Sequence, residues 1–448
     1  MLDVVVIGGG ITGAGVLRDC AQRGLKAVLL EKGTPGAATT AASTHLIHGG
    51  IRYLLYDRLT THATAWDAGN IVRIAGALLK RLPIVWPVYR GHSHGLATVE
   101  TLVACYEPFQ RMKEGLPYLR LSAEAVAELV PGLSREGLVG GVSFDEWWVD
   151  AEGLVEANLA AARGLGAQWR SGWRVTSLLR DGKRVTGVRA EGPAGTAETF
   201  EAPVVINAAG PWIDPVAKLA GLSIPLRLRK GTHLVYDEPL TPTGLLVEAS
   251  DRGRYVFIIP YRGGTLVGPT DLESPGGPDD IRTDAAEIDY LIASARRYFR
   301  DFPATYARTI VGARPILGQS GSEKLLSREY QIFDHASQGA EGLITAGGGK
   351  MSDFRLMAKD AVDLACEKLG RTVLCRTSAL TLDGSDAAPR PEFPRPWAPL
   401  KRFLRGQPRL RELHALAYLG VGLGRHALRT LGGPPASSAE DFRRHYGV

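Results

Sequence analysis

Residues 43–54 read STHLIHGGIRYL and bring several reactive side chains into twelve positions. His45 and His48 carry imidazoles, which exchange a proton near neutral pH. Arg52 and Tyr53 set a planar fork of charged donors beside a neutral hydroxyl donor, a combination suited to a doubly charged anion. The stretch is too cationic for a core strand and too apolar for a solvated loop. Four further polar residues interrupt apolar or glycine-rich runs: His233 in RKGTHLV, Asp271 in GPTD, Arg314 in IVGARPIL and Lys350 in GGGKMSDFR. A lone histidine is ordinarily a structural residue, and a lone arginine or lysine a surface charge. Their place within apolar or glycine-rich runs sets these four apart.

The elements that would position them begin at the N-terminus. DVVVIGGGITGAGVLRDCAQRGLKAVLLEKG combines a buried-strand run, a glycine loop, a helical stretch and a second apolar strand ending in Glu31, which is a βαβ unit. Gly8, Gly10 and Gly13 form G-x-G-x-x-G directly after the first strand. Their missing side chains let the backbone turn tightly, approach a pyrophosphate and pack the helix close to the sheet. The helix start then presents unpaired N–H groups to phosphate. Glu31 falls 23 residues after Gly8, where a carboxylate accepts ribose hydroxyls.

Later segments choose between the dinucleotides. VTSLLR-DG-KRVTGVR reads as a hairpin turning on Asp181–Gly182, and the apolar strand VVINAAGPW (Val204 to Trp212) follows it. LITAGGGKMSDFRLMAKDAVDLAC reads as a strand, a glycine loop at Gly347 to Gly349, and a helix with apolar residues at Phe354, Met357, Ala361 and Ala365. Three separated strand ends returning to one ligand suit FAD, whose tricyclic ring needs a second helix N-terminus near its N1 and C2=O edge. Between Pro225 and Leu317, the strands LRLRKGTHLVY, YVFIIP and TLVGPTD, with YRGG as a turn and a helix over Asp284–Phe299, predict a substrate domain.

HGGIRYL, INAAGPWID, RKGTHLV, IPYRGGTLVGPTD, VGARPIL and GGGKMSDFR, in this order, resemble the FAD-dependent glycerol-3-phosphate dehydrogenases and oxidases, within the larger D-amino-acid-oxidase-like flavoprotein group. The resemblance covers about residues 1 to 375. It implies a mixed α/β fold: a Rossmann-type FAD-binding domain (1–90, 145–212 and 335–375), a helical insertion (91–144), an inserted, mainly antiparallel substrate domain (213–334) and a short, basic, helical C-terminal region (376–448).

Carried onto the matching positions, the resemblance implies FAD contacts from Gly8, Gly10, Ile11, Thr12, Gly13, Glu31, Lys32, Ser43, Thr44, His48, Gly49, Gly50, Val175, Ala209, Gly210, Trp212, Gly348, Gly349, Lys350, Met351 and Ser352. Arg52, Tyr53, Asp271, Arg314 and Lys350 would bind the substrate, with His48, Arg52, Tyr53, Arg314 and Lys350 on its phosphate and Asp271 near it. The implied reaction oxidises the C2 hydroxyl of sn-glycerol 3-phosphate to dihydroxyacetone phosphate. His233 is the first candidate for the base and His48 the second, with Arg314 and Lys350 facing the developing charge. The resemblance departs in three places: His45 stands where the family often has Lys, Met351-Ser352-Asp353 replaces a Thr-containing run, and the tail after Cys375 is short. A rival enzyme reading is an FAD-dependent dehydrogenase or oxidase of another 2-hydroxy acid or amino acid. A rival of another class is a non-catalytic flavin-binding redox module.

Composition sets the outer limits. With 45% apolar and 22% charged residues, the chain is that of an ordinary globular protein, and its length predicts more than one domain. Cys20, Cys105, Cys366 and Cys375 have neither disulfide-framework nor metal-site spacing, so no metal is expected and a cytoplasmic protein fits. Net charge is +6, and residues 389–448 hold eleven Lys/Arg against four Asp/Glu. Residues 68–89, AGNIVRIAGALLKRLPIVWPVY, read as an amphipathic helix. That helix either packs on the FAD domain or lies on an anionic membrane surface at the inner face of the cytoplasmic membrane, where a quinone would accept the electrons. Nucleic acid ranks last as a partner, without interleaved aromatics or a motif, and a homodimer stays open.

Overall fold

The computed structural model describes residues 1–51, 54, 58–274, 276–318, 330–387, 408–431 and 436–448. The described residues form three sheets. In the first, β1 (Val4–Ile7), β2 (Ala27–Glu31), β7 (Gln168–Ser171), β11 (Val204–Asn207), β18 (Tyr330–Asp334) and β19 (Leu343–Gly348) lie in the order β18-β19-β11-β1-β2-β7. All neighbours are parallel except the β18–β19 edge pair.

β1 is apolar at every position because both of its faces are covered. Val4 and Val6 pack among α1 (Ile11–Gln22), α5 (Ala151–Gly164) and α8 (Phe354–Lys368). Val5 and Ile7 pack against the second sheet, made of β8 (Arg174–Asp181), β9 (Arg184–Glu191) and β10 (Ala197–Glu201). Residues Gly182 and Lys183 turn the β8–β9 hairpin, one position later than the sequence suggests, with Gly182 at φ 56°. At Gly15 a Cβ would stand 2.9 Å from Phe354, so glycine sets the close approach of α1 to α8.

The third sheet has ten strands: β3 (Leu46–Ile47), β4 (Leu79–Tyr89), β5 (Leu119–Leu121), β6 (Leu138–Val149), β12 (Leu226–Tyr236), β13 (Gly244–Glu248), β14 (Tyr255–Tyr261), β15 (Gly264–Gly268), β16 (Leu272–Glu273) and β17 (Arg308–Leu317). Its pairs are antiparallel except β4–β13. The YRGG turn joins β14 to β15 with Arg262 at φ 49° and Gly263 at φ 87°. Around this sheet stand α2 (Arg58–Ile74), α3 (Leu96–Met112), α4 (Ala123–Leu129) and α7 (Ala285–Arg296). Asp284 and Glu287 start α7 with a reciprocal capping box. The short α6 (Ile213–Lys218) follows β11, and α9 (Pro408–Leu431) and α10 (Ala439–Tyr446) close the chain. Arg429 of α9 reaches buried Glu107 of α3 at 2.8 Å, and Tyr446 of α10 meets Ser143 of β6 at 3.1 Å.

The amphipathic helix expected over 68–89 is not formed. Helix α2 ends at Ile74, and residues 79–89 are β4, whose Trp86 and Tyr89 are buried in the ten-stranded sheet. These two aromatic residues are therefore core and present no surface for docking. No described helix is long and apolar enough to cross a membrane.

Candidate active site

The six-stranded and ten-stranded sheets both contribute walls to a cavity of about 560 Å³. One end is built by the β1–α1 turn. Gly8 has φ 103°, and a Cβ there would stand 2.8 Å from Ala208 O. A Cβ at Gly13 would collide with Gly8 O, so this glycine lets α1 start tight against the strand. In front of Gly10, by contrast, the nearest atom is Thr40 Oγ1 at 3.6 Å, and Gly10 lines the cavity as the N-cap of α1. The backbone is thus folded for close approach of a ligand at the positive end of a helix dipole.

Glu31 ends β2 with one carboxylate oxygen accepting from Gly9 N at 2.6 Å and the other from Gly33 N at 2.7 Å. Each oxygen retains acceptor capacity toward the cavity. Lys32 lies over the Trp212 ring, 3.7 Å from its centroid, and both residues donate to Asp279 Oδ1, at 2.8 and 3.0 Å. At the other end, Gly348 and Gly349 have φ 74° and 77° and turn the chain from β19 into α8. Lys350 lines this end and reaches Thr64 Oγ1 at 3.5 Å. Behind it, burial pushes the Asp353 carboxyl up to about 6, against the pull of Lys350 and Thr64.

The remaining wall comes from the ten-stranded sheet. In β12, Arg229, Gly231 and His233 alternate and so share one face. Arg314 on β17 lays its guanidinium over Gly231, where any side chain would collide with it. Arg314 Nη1 donates to Asp271 Oδ1 at 3.2 Å and Nη2 to Thr270 O at 3.3 Å. Arg229, which is buried, donates to the same Asp271 oxygen at 2.8 Å and to Asp271 O at 2.7 Å. His233 is fully buried, and its Nε2 lies 3.0 Å from the Thr44 hydroxyl. Burial, with Arg314 and His45 adding repulsion, lowers the His233 imidazole to about 3. It is neutral at working pH.

Most of the residues singled out in the sequence meet at this cavity. His233, Asp271, Arg314, Lys350 and His48 all line it, as do Ile11, Thr12, Glu31, Lys32, Ser43, Thr44, Gly50, Val175, Ala209, Gly210, Trp212, Gly348, Gly349 and Met351, together with Gly8 and Gly10. Gly13, Gly49 and Ser352 stand behind the wall; Ser352 Oγ accepts from His48 N at 3.0 Å. Arg52 and Tyr53 lie outside the described residues. His45 is fully buried away from the cavity lining, bonded to Ala41 O at 3.1 Å and packed on Trp148 and Tyr261. Sequence reasoning missed Arg229 as the second partner of Asp271, Thr44 as the partner of His233, and the Asp279 contact. The alternation of Arg229, Gly231 and His233 was the available signal for the first.

The donor set suits an adenine dinucleotide with a ring system: glycines where a Cβ would block the backbone, a carboxylate at the strand end, and a second glycine turn opposite. Three comparisons bear on it. The family model described as FAD dependent oxidoreductase matches residues 3–358. The chain is 31% identical over 408 residues to the aerobic glycerol-3-phosphate dehydrogenase of Staphylococcus saprophyticus, covering 87% of this chain and 72% of that one. It is 32% identical over 415 residues to the glycerol-3-phosphate dehydrogenase of a Synechocystis species, covering 86% and 74%. In fold it is similar to the glycerol-3-phosphate dehydrogenase of Bacillus halodurans complexed with FAD, at a TM-score of 0.69 and 27% identity, over 85% of this chain and 67% of that one.

Proposed function

Since the chain belongs to the FAD dependent oxidoreductase family and takes FAD as its cofactor, we propose that it oxidises sn-glycerol 3-phosphate to dihydroxyacetone phosphate. The chemistry FAD supplies when bound is acceptance of the C2 hydride at N5. Glu31 is proposed to hold the ribose, the Gly8–Gly13 turn the diphosphate, and Gly348 to Met351 the ring edge.

The observation that carries the substrate assignment is one cavity lined by a guanidinium at Arg314, an ammonium at Lys350 and a neutral, buried imidazole at His233. A phosphate dianion is bound by several fixed positive donors, for which Arg314, Lys350, His48 and Arg52 with Tyr53 are proposed. His233 is the proposed base for the C2 hydroxyl proton, its ring fixed through Nε2 by Thr44. A base so depressed gains strength when a negative substrate enters beside it, because that charge favours the imidazolium. Arg314 faces the oxygen on which charge develops as the proton leaves. Electrons then pass to a quinone or another acceptor.

Anaerobic titration of the purified yellow protein tests this reading. Glycerol 3-phosphate should bleach the flavin band, and a quinone or air should restore it. Bleaching by a 2-hydroxy acid or amino acid and not by glycerol 3-phosphate would move the assignment to that class.

A further inference from the structure

Beneath Gly49 lies a group of ionisable side chains that this reaction scheme does not use. Tyr106 on α3, Lys113 just after it, and Asp145 and Glu146 on β6 are all buried. The Tyr106 hydroxyl donates to Glu146 Oε1 at 2.8 Å. Lys113 Nζ stands 2.8 Å from Glu146 Oε2 and donates to Asp145 O at 2.8 Å. Asp145 pairs in turn with Arg81 and accepts from Leu116 N at 3.1 Å. Removing such charges from water is unfavourable, and apolar residues of similar volume ordinarily serve stability as well or better. Stability alone does not account for a buried lysine and glutamate here.

Their location does. Glu146 lines the cavity, and the Tyr106 hydroxyl that donates to it packs directly against the Gly49 backbone. The two glycines after His48 have different physical causes. Gly50 has φ 83°, a conformation that favours glycine, whereas Gly49 does not. At Gly49 the constraint is space, since a Cβ would collide with the Tyr106 hydroxyl. On the other side the preceding peptide is pinned by His48 N donating to buried Ser352 Oγ.

We propose that Tyr106, held by Glu146 and Lys113, is a positioning residue: it fixes the plane of the Gly49 peptide and with it the place of His48 at the cavity wall. The inference rests on FAD occupying this cavity, not on the identity of the substrate.

The test is a double-mutant cycle in the holoenzyme with Tyr106→Phe, Gly49→Ala and both together. Two readouts are taken: the flavin midpoint potential by dye-coupled titration, which needs no substrate, and kcat and KM with glycerol 3-phosphate. Tyr106→Phe should shift the potential and lower kcat about tenfold, with KM within about twofold, because misplacing a group at the site acts on the reacting geometry. Gly49→Ala should lose more, and the double variant should regain at least about threefold over it, since removing the hydroxyl makes room for the methyl. Should Gly49→Ala emerge colourless, recovery of flavin uptake in the double variant reads the same coupling. Independent, multiplying losses would overturn the proposal, as would wild-type potential, kcat and KM in Tyr106→Phe. If glycerol 3-phosphate does not reduce the wild type, the substrate assignment fails while the potential still decides this one.

Discussion

Arg314 and Asp271 face each other across the cavity wall, Nη1 donating to Oδ1 at 3.2 Å, and the same oxygen accepts from buried Arg229 at 2.8 Å. Two guanidinium groups thus share one carboxylate. Asp271, expected from sequence to touch substrate, also orients the arginine proposed to do so. Gly231 completes the arrangement by leaving the Arg314 side chain the space above β12.

Arg314→Ala should keep the yellow FAD spectrum and lose turnover. Loss of a charged hydrogen bond to an oxygen that gains charge in the transition state costs about 3 to 4 kcal/mol, or about a hundred- to a thousandfold in rate. Stopped-flow measurement of flavin reduction checks it. An unchanged kcat/KM would remove Arg314 from the site.

Asp271→Ala should act on both stability and binding. It leaves Arg229 buried without this countercharge, which costs about 2 to 3 kcal/mol, less than a fully buried pair because the Asp271 side chain is 22% exposed. Urea unfolding measures that loss. Asp271→Asn retains an acceptor oxygen and should lose less, with KM rising in both variants as Arg314 loses its orientation.

The first thirty-three residues were legible because their constraints are local: an apolar run, glycines at fixed offsets and an acid at the strand end define β1, α1 and β2 without reference to the rest of the chain. The Asp271 triad was not, because Arg229 and Arg314 meet only through the β12–β17 register. Residues 79–89 misled for a different reason. LKRLPIVWPVY places apolar residues at helical as well as strand spacing, and Pro83 and Pro87 are uncommon inside a strand. Among the described strands β13 pairs with β4 only at Ile84 and Val85, so most of that edge has no ladder for a missing N–H to break. The buried Tyr106–Glu146–Lys113 group was illegible because polar residues in α3 and β6 look like solvent-facing positions until the two elements pack.

Glu31→Gln should weaken FAD binding without abolishing it. The carboxylate keeps the turn closed through Gly9 N and Gly33 N and is proposed to accept from the ribose. Replacing a charged acceptor by a neutral one costs about 1.5 kcal/mol, or about tenfold in Kd. Gly13→Ala should be far more severe, since its Cβ collides with Gly8 O at the heart of the turn. Flavin absorbance retained after gel filtration separates the two variants.

Acid should destabilise the protein through His233. Burial holds its imidazole at about 3 in the folded chain against an ordinary value of 6.5, so between those values the unfolded chain binds a proton that the folded one does not. The stability associated with the neutral ring is present above about pH 6.5 and is lost as pH falls toward about 3. From about pH 6.5 to about pH 4.5 this amounts to about 2 to 3 kcal/mol. Burial also lowers His45 and His92, which add loss in the same direction, so the diagnostic quantity is the difference between wild type and His233→Asn. Urea melts at the two pH values should show a smaller acid loss in the variant. Equal losses would mean that His233 titrates alike in the folded and unfolded chains, and the neutral, buried imidazole assigned as the base would have to be abandoned.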